Sequence, residues 1–391
     1  MVDKNTILKK IKTISILGST GSIGQTTLDI IRSNPESFKV KALTAGTDVE
    51  KLYHQAIEFK PEIIAIADQN KYLWLKDKLN GSGIAIESGP QGLISVSNLS
   101  VDFVMASIVG AAGLMPTMNA LKNCNTLALA NKECLVCAGE LFMNSVRNQK
   151  INLLPVDSEH NAIFQLLERK NIETISRLIL TASGGPFRLR AIEEMSKVTP
   201  NEALVHPNWK MGPKISIDSA TMMNKGFELI EAYHIFDFNE DKIDIVIHPE
   251  SIVHSLVEFI DGSTLAQLGT PDMKTPIAYS LAWPKRMFLK NNNMDFNASI
   301  SLNFETPDHQ RFPALKIARD ALKTAGNAPT ILNAANEVAV DRFLKKDIKF
   351  LDIVKIIEYC LNSIPFTVLN DIEHVLSMDA ETRKIAKTWS C

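Results

Sequence analysis

The stretch Ile14-Ser15-Ile16-Leu17-Gly18-Ser19-Thr20-Gly21-Ser22-Ile23-Gly24 decides the fold. A short apolar run stops at a glycine, two more glycines follow at three-residue spacing, and Gln25–Ser33 continues with helical character. A strand that feeds a helix through such a turn opens a parallel α/β unit. Glycines there let backbone N–H groups approach a pyrophosphate, and the helix N-terminus favours its negative charge. The spacing is GxxGxxG rather than GxGxxG, so a glycine-rich turn that holds no ligand stays open as the alternative.

Outward from this turn, residues 13–156 alternate apolar runs with helical patterns, which predicts a parallel sheet. Strands are expected at Ile14–Leu17, Val40–Thr44, Ile63–Ile66, Val101–Ala106, Thr126–Ala130 and Ile151–Leu154. Helices are expected at Gln25–Ser33, Val49–Phe59, Met115–Asn123 and Gly139–Gln149. The second strand ends at Thr44-Ala45-Gly46-Thr47-Asp48, where a ribose-contacting residue belongs. A carboxylate at Asp48 by itself points to NAD, because it accepts the 2′-hydroxyl and repels a 2′-phosphate.

From about Asp157 to Lys285 the pattern becomes mixed. A helix at Asn161–Arg169 precedes a strand at Leu178–Thr181, and Ile243–Ile247, Val253–Ile260 and Leu265–Leu268 read as further strands. Asp261-Gly262 between the last two signals a hairpin. Residues 286–313, with Asn291–Asn293, look like a connecting segment, and helical spacing then predicts a C-terminal bundle. The expected class is thus α/β: an N-terminal Rossmann-like parallel-sheet domain (1–156), a central mixed α/β catalytic domain (157–285), a linker (286–313) and a C-terminal helical bundle (314–391).

Composition narrows the function. The 391 residues carry 42 Lys plus Arg against 44 Asp plus Glu, a net charge of −2, which excludes a generally basic nucleic-acid surface. The longest uncharged stretch, Phe103 to Leu121, is interrupted by Gly110, Gly113 and Pro116 and reads as strand, loop and helix rather than a membrane span. Lysines at 4, 9, 10 and 12 precede an apolar run too short for a signal peptide. Five cysteines fit no disulfide framework, and Cys134-Leu135-Val136-Cys137 lacks the second pair that zinc would want. A cytoplasmic protein is expected.

Asp157-Ser158-Glu159 follows the last strand of the first region. If extended, it puts both carboxylates on one side and Ser158 on the other. Two carboxylates about 4 Å apart repel by roughly 4 kcal/mol at an effective dielectric near 20 unless a cation lies between them. Oxygen ligands suit magnesium or manganese better than zinc, while a solvated acidic loop is the alternative. In Ser219-Ala-Thr-Met-Met-Asn224-Lys225-Gly-Phe-Glu228-Leu-Ile-Glu231, a helix puts Asn224, Lys225 and Glu228 on one face. Amide and ammonium donors fit a phosphate, and a carboxylate one turn on can reach a metal. A solvent-facing Lys225–Glu228 pair is the alternative, with Glu231 the competing ligand by spacing.

Between Thr181-Ala-Ser183-Gly184-Gly185-Pro186-Phe187 and His206-Pro207-Asn208-Trp209-Lys210-Met211-Gly212 the chain is long for a structureless connection. Such segments are lids or disordered, so Pro186–Gly212 is read as a lid with Trp209 as an apolar cover. His248, Glu250 and His254 fall where a strand begins and are read as structural.

GSTGSIG, the segment ending Asn131-Lys132-Glu133, PVDSEH, TASGGPF, HPNWKMG and SIDSATMMNKGFELIEA together resemble the 1-deoxy-D-xylulose 5-phosphate reductoisomerase family, over essentially the whole chain. The resemblance implies rearrangement of 1-deoxy-D-xylulose 5-phosphate and its NADPH-dependent reduction to 2-C-methyl-D-erythritol 4-phosphate, in isoprenoid precursor biosynthesis. It implies a divalent ion (magnesium, manganese or cobalt) on Asp157, Glu159 and Glu228. Lys132, Ser158, Glu159 and His206 would act at the reacting atoms, and Ser183, Ser219, Asn224 and Lys225 would hold the phosphate, with His206 and Trp209 on the lid. The nucleotide would meet Thr20, Gly21, Ser22, Ile23, Gly46, Thr47, Asp48, Asn131, Glu133 and Gly212. Family members are homodimers. This chain departs from the pattern at Thr47-Asp48, where relatives often carry a basic or amide side chain, and at Lys210 and Pro213. Against this stand a metal-dependent phosphohydrolase, which leaves the glycine turn unused, and a non-catalytic nucleotide sensor, which leaves the three carboxylates unused.

Overall fold

The computed structural model describes residues 11–167, 172–290, 293–297 and 299–390. Arg169, Asn291, Asn292, the lysines at 4, 9 and 10, and Cys391 lie outside the described residues. The chain forms two compact units: Met1–Asn131 with Asn144–Asn161 and Met273–Asn292, and Lys132–Met143 with Ala162–Asp272 and Asn293–Cys391.

In the first unit β1 (Lys12–Leu17), α1 (Ser22–Arg32), β2 (Phe38–Ala45), α2 (Val49–Phe59), β3 (Ile63–Ile66), α3 (Tyr72–Lys78), β4 (Ala85–Ser88) and α4 (Gly89–Ser97) follow one another. Then come β5 (Val101–Ala106), α5 (Leu114–Ala120), β6 (Cys124–Leu129), α6 (Glu133–Gln149), whose residues up to Met143 belong to the second unit, and β7 (Asn152–Pro155). The sheet order is β4-β3-β2-β1-β5-β6-β7, with every pair parallel. The order turns back at β1, which pairs with both β2 and β5, and open α/β sheets bind ligands at the carboxyl ends of strands at such a point. Ile14, Ile16, Leu43, Ile64, Phe103 and Leu127 are fully buried, as strands covered on both faces require. All six expected strands are present. β4 was not anticipated, because Ala85-Ile86-Glu87-Ser88 is a short, half-polar edge strand.

α6 starts at Glu133 rather than Gly139, so its first turns absorb Cys134 and Cys137. Both are buried, and burial pushes the Cys137 thiol well above its usual range, which makes it inert. The stretch 103–121 is β5, a turn at Gly110 and α5, and no helix among the described residues is long and apolar enough to cross a membrane.

The second sheet contains β8 (Ile175–Ala182), β9 (Ile243–Ile247), β10 (Val253–Phe259) and β11 (Thr264–Leu268) in the order β11-β10-β8-β9. The β10–β11 hairpin turns at Asp261-Gly262 as expected, with Gly262 at φ +85°. α7 (Ser158–Leu166) leads into this region. α8 (Ile192–Met195), α9 (Pro200–Ala203), α10 (Pro213–Ala220) and α11 (Met223–Phe236) lie between β8 and β9. After α12 (Lys274–Ala282), which returns to the first unit and packs on α1, come α13 (Ala314–Thr324), α14 (Ala328–Leu344), α15 (Asp352–Ser363) and α16 (Ile372–Thr388). Leu178 and Leu180 of β8, Phe227 and Ile230 of α11, and Leu315, Leu332, Ile353 and Ile357 of the C-terminal helices belong to one apolar core.

Candidate active site

The three glycines of the β1–α1 turn do different things. Gly18 has φ +89°, and a Cβ there would lie 2.6 Å from the Ser107 carbonyl. A Cβ on Gly24 would lie 2.4 Å from the Gly18 carbonyl, so this glycine seats α1 against the turn. Gly21 is exposed, caps α1 without a side chain, and a Cβ there would meet only the Gly18 carbonyl at 3.5 Å. Close approach of a ligand backbone is therefore possible at Gly21, with the N–H groups of the first turn of α1 behind it. The end of β2 lies alongside: Gly18 N donates to Thr44 Oγ1 at 2.8 Å and Ser19 N to the Thr44 carbonyl at 2.7 Å. Gln55 of α2 bonds both Ser19 Oγ and the Ser19 carbonyl, a brace that sequence reading missed.

Gly46, Thr47 and Asp48 are exposed beyond β2. Asp48 caps α2, accepting from Lys51 N at 3.1 Å and pairing with Lys51 Nζ at 3.0 Å. That partner holds its carboxyl below the usual range despite burial acting the other way. Buried Asn131 spends its amide on the β5–α5 loop, donating to the carbonyls of Ile108 and Gly110.

Asp157, Ser158 and Glu159 are half-buried after β7. They are not extended, because α7 starts at Ser158 and Asn161 N already donates to the Asp157 carbonyl at 2.8 Å. Alternation is therefore replaced by helical geometry, and Ser158 Oγ bonds Glu159 Oε2 at 2.6 Å rather than facing away from it. Carboxylate oxygens of Asp157 and Glu159 still lie within 4.8 Å of each other, and His160 Nδ1 is 3.8 Å from Asp157. Two hard anionic oxygens this close fit a divalent cation.

In the second unit Gly184 (φ +83°) and Gly185 (φ +70°) turn the chain after β8, and a Cβ on Gly185 would lie 2.6 Å from the Ser219 carbonyl. Gly185 is thereby seated against the end of α10, with Ser183 two residues before it. Met222, at φ +64°, links the two helices. On α11 the Lys225–Glu228 pair is buried, not solvent-facing: Lys225 is 3% and Glu228 1% exposed. Glu228 Oε1 accepts from Asn224 Nδ2 at 2.6 Å and Lys132 Nζ at 3.2 Å, and Oε2 pairs with Lys225. Lys132 Nζ also donates to Asn224 Oδ1 at 2.8 Å. Two ammonium groups thus converge on one buried carboxylate, which holds both next to where a phosphate and a polarised oxygen could sit.

His206 Nδ1 accepts from the backbone N–H groups of Asn208 (3.2 Å) and Trp209 (3.0 Å). Its proton is therefore on Nε2, which donates to Ser183 Oγ at 2.8 Å, and burial lowers its pKa to about 4. Gly185 N donates to the same oxygen, so the Ser183 hydroxyl proton remains as a donor. Trp209 lies 6.1 Å from the His254 ring. The expected lid is mostly anchored: Phe187, Met195 and Ala203 are buried, and Arg311 donates to the Arg188 and Arg190 carbonyls. Exposed Val205 begins the less embedded part, and exposed Gly212 ends it. His248 bonds Asn303 and accepts from Ile252 and Val253 N, and Glu250 bonds Asn303, so both are structural as expected.

Sequence reading also missed Lys214, which joins Glu133 (2.7 Å) to Asp218 (2.8 Å). Its spacing to Asp218, one turn along α10, was the only signal available.

Comparison with known proteins places these features in one family. Family profiles for 1-deoxy-D-xylulose 5-phosphate reductoisomerase match residues 14–139, and those for its C-terminal domains match 153–236 and 268–385. The enzyme of that name from Rhodospirillum centenum is 52% identical over 96% of this chain and 94% of its own length. The structure of the Zymomonas mobilis reductoisomerase in complex with NADPH has a TM-score of 0.91 at 46% identity, covering 97% of this chain and 98% of that one. A DOX-P reductoisomerase structure with NADPH, fosmidomycin and magnesium has a TM-score of 0.92 at 45% identity, covering 96% and 98%. The chain belongs to the 1-deoxy-D-xylulose 5-phosphate reductoisomerase family.

Proposed function

We propose that this protein is an NADPH-dependent 1-deoxy-D-xylulose 5-phosphate reductoisomerase serving isoprenoid precursor synthesis. The observation that carries the reading is the buried Glu228 gathering Lys132, Asn224 and Lys225, on a chain of that family. Asp157, Glu159 and Glu228 would hold magnesium or manganese, whose Lewis acidity would polarise the substrate's carbonyl and hydroxyl oxygens. NADPH, which supplies the hydride, would lie over Thr20, Gly21, Ser22, Ile23, Gly46, Thr47 and Asn131, with Gly212 beside it. Asp48 and Glu133 would contribute through backbone, because Lys51 and Lys214 already engage their carboxylates.

Ser183, Ser219, Asn224 and Lys225 bind the phosphate, the Lys225 ammonium exchanging Glu228 for the dianion. Lys132 and Ser158 hold the reacting oxygens, and Glu159, bonded to Ser158, orients that hydroxyl. Neutral His206 keeps Ser183 aimed, and Trp209 excludes water when the segment around it closes. Along the chain the work divides as nucleotide binding in 1–156, catalysis in 157–285, a connection in 286–313 and support from the helices of 314–391. The protein would act in the cytoplasm as a homodimer, and the exposed Leu265 and Leu268 on edge strand β11 support such pairing.

The assay is NADPH oxidation with the sugar phosphate and a divalent ion, omitting each in turn. The proposal requires all three. Phosphate release without NADPH would favour a phosphohydrolase, and nucleotide binding without turnover a sensor.

A further inference from the structure

We propose that Lys214 and Glu133 form a positioning pair that sets the place of Lys132, an inference that rests on the functional reading above. Lys132 directly precedes Glu133, the first residue of α6. The Glu133 carboxylate is 7% exposed and accepts from Lys214 Nζ at 2.7 Å. The same ammonium reaches Asp218 at 2.8 Å, and Asp218, 2% exposed, is fixed in turn by Asn336 Nδ2 of α14 at 2.8 Å. Lys214 Nζ also lies 4.8 Å from the centre of the Phe227 ring. One ammonium thus joins the start of α6, the start of α10 and, through Asp218, α14.

The same turn of α6 is held twice more. Thr330 Oγ1 of α14 donates to the Cys137 carbonyl at 2.9 Å, just where Ala138 leaves helical geometry. A Cβ on Gly139 would meet the His234 ring of α11 at 2.1 Å, so that helix lies directly against it. Buried ion pairs repay little of their desolvation as stability, but they impose one geometry. Here that geometry aims Lys132 at Asn224 and Glu228. Lys214 stands two residues after Gly212, so the bridge also fixes the end at which the His206–Gly212 segment is tethered. Glu133 therefore acts on the reaction through Lys132, not as a side-chain ligand of the coenzyme.

The test compares Glu133→Gln, Lys214→Gln and the double variant, each checked for native circular dichroism and melting. Lys214→Gln leaves two buried carboxylates without their cation. Should it fail to fold, Glu133→Gln, which removes the charge that holds Lys214 while keeping the side chain's shape, decides alone. Displacing a catalytic group by about 1 Å costs on the order of 100-fold, so kcat is expected to fall roughly 10- to 100-fold. KM for the sugar phosphate and the NADPH dissociation constant, read by nucleotide fluorescence, should stay within about twofold of wild type. The double variant should be no slower than the slower single variant, because the two residues act as one unit. A folded Glu133→Gln enzyme with wild-type kcat overturns the pairing. So does NADPH binding weakened about tenfold at unchanged kcat, which would make Glu133 a coenzyme ligand, or additive losses in the double variant. Wild type that fails to oxidise NADPH with the sugar phosphate defeats the functional reading instead, so the two failures stay separate.

Discussion

Glu228 and Glu231 are both buried on α11 three residues apart, but it is Glu228 that stands with Lys132, Asn224 and Lys225. Glu228→Gln, like Asp157→Asn and Glu159→Gln, is expected to abolish turnover or raise the metal requirement steeply, since hard oxygen ligands hold such an ion by charge. Glu231→Gln should be much milder in turnover and show its effect in melting temperature. Turnover against metal concentration checks the order, and a more damaging Glu231→Gln would reverse the ligand assignment. Asp48 poses the coenzyme question. Its carboxylate is committed to Lys51 as a helix cap, so the ribose rule, which alone suggests NADH, loses its donor-selecting group. NADPH should be preferred, and Asp48→Asn, which keeps a good cap while removing a negative charge, should widen the preference several-fold. Catalytic efficiency with both coenzymes is the measurement.

The segment from Phe187 to Gly212 behaves as two elements. Residues 187–203 are tied by Phe187, which packs edge-to-face on Phe350 at 5.1 Å, and by Arg311, whereas 205–212 are held by two polar side chains, His206 on Ser183 Oγ and Asn208 on the Pro249 carbonyl and Ser251 Oγ. Hydrogen exchange should find protection in the first part and fast exchange, slowed by substrate, in the second. Uniform protection of 205–212 without substrate would exclude a lid. His206 adds a pH dependence. Its pKa, about 4 here against an ordinary 6.5, means the ordered segment binds the proton less readily than a loosened one. Its stabilisation is complete above pH 6.5 and is lost as pH falls toward 4, so Trp209 fluorescence should report loosening in that window. The strands were legible because Ile14–Leu17 or Ile243–Ile247 are apolar runs between turn residues. The helix start at Ser158 was not, since Asp-Ser-Glu serves a loop or a cap equally well. Nor was the anchoring of 187–203, because Arg311 lies more than a hundred positions away in sequence.

At the scale of the molecule, the C-terminal helices share a core with the second sheet. Helical spacing showed that these helices exist but not what they cover, because periodicity fixes a buried face and not its partner. Deleting 314–391 would strip several large side chains such as Phe187 and Phe227 of cover. At about 3–5 kcal/mol for each buried aromatic lost, this exceeds a typical total stability of roughly 5–15 kcal/mol. The truncated chain should be insoluble or proteolysed, as limited proteolysis would show, rather than a stable, inactive enzyme. The return of α12 to the first unit has a consequence in time. Lys12 Nζ of β1 donates to the Leu281 carbonyl, 269 positions later. At roughly 5–20 residues per second, a ribosome needs about 15–50 s between those two residues. Even from Pro155, where β7 ends, 126 residues (281 − 155) remain to Leu281, so all the strands of this sheet are made roughly 6–25 s before the helix that packs on α1.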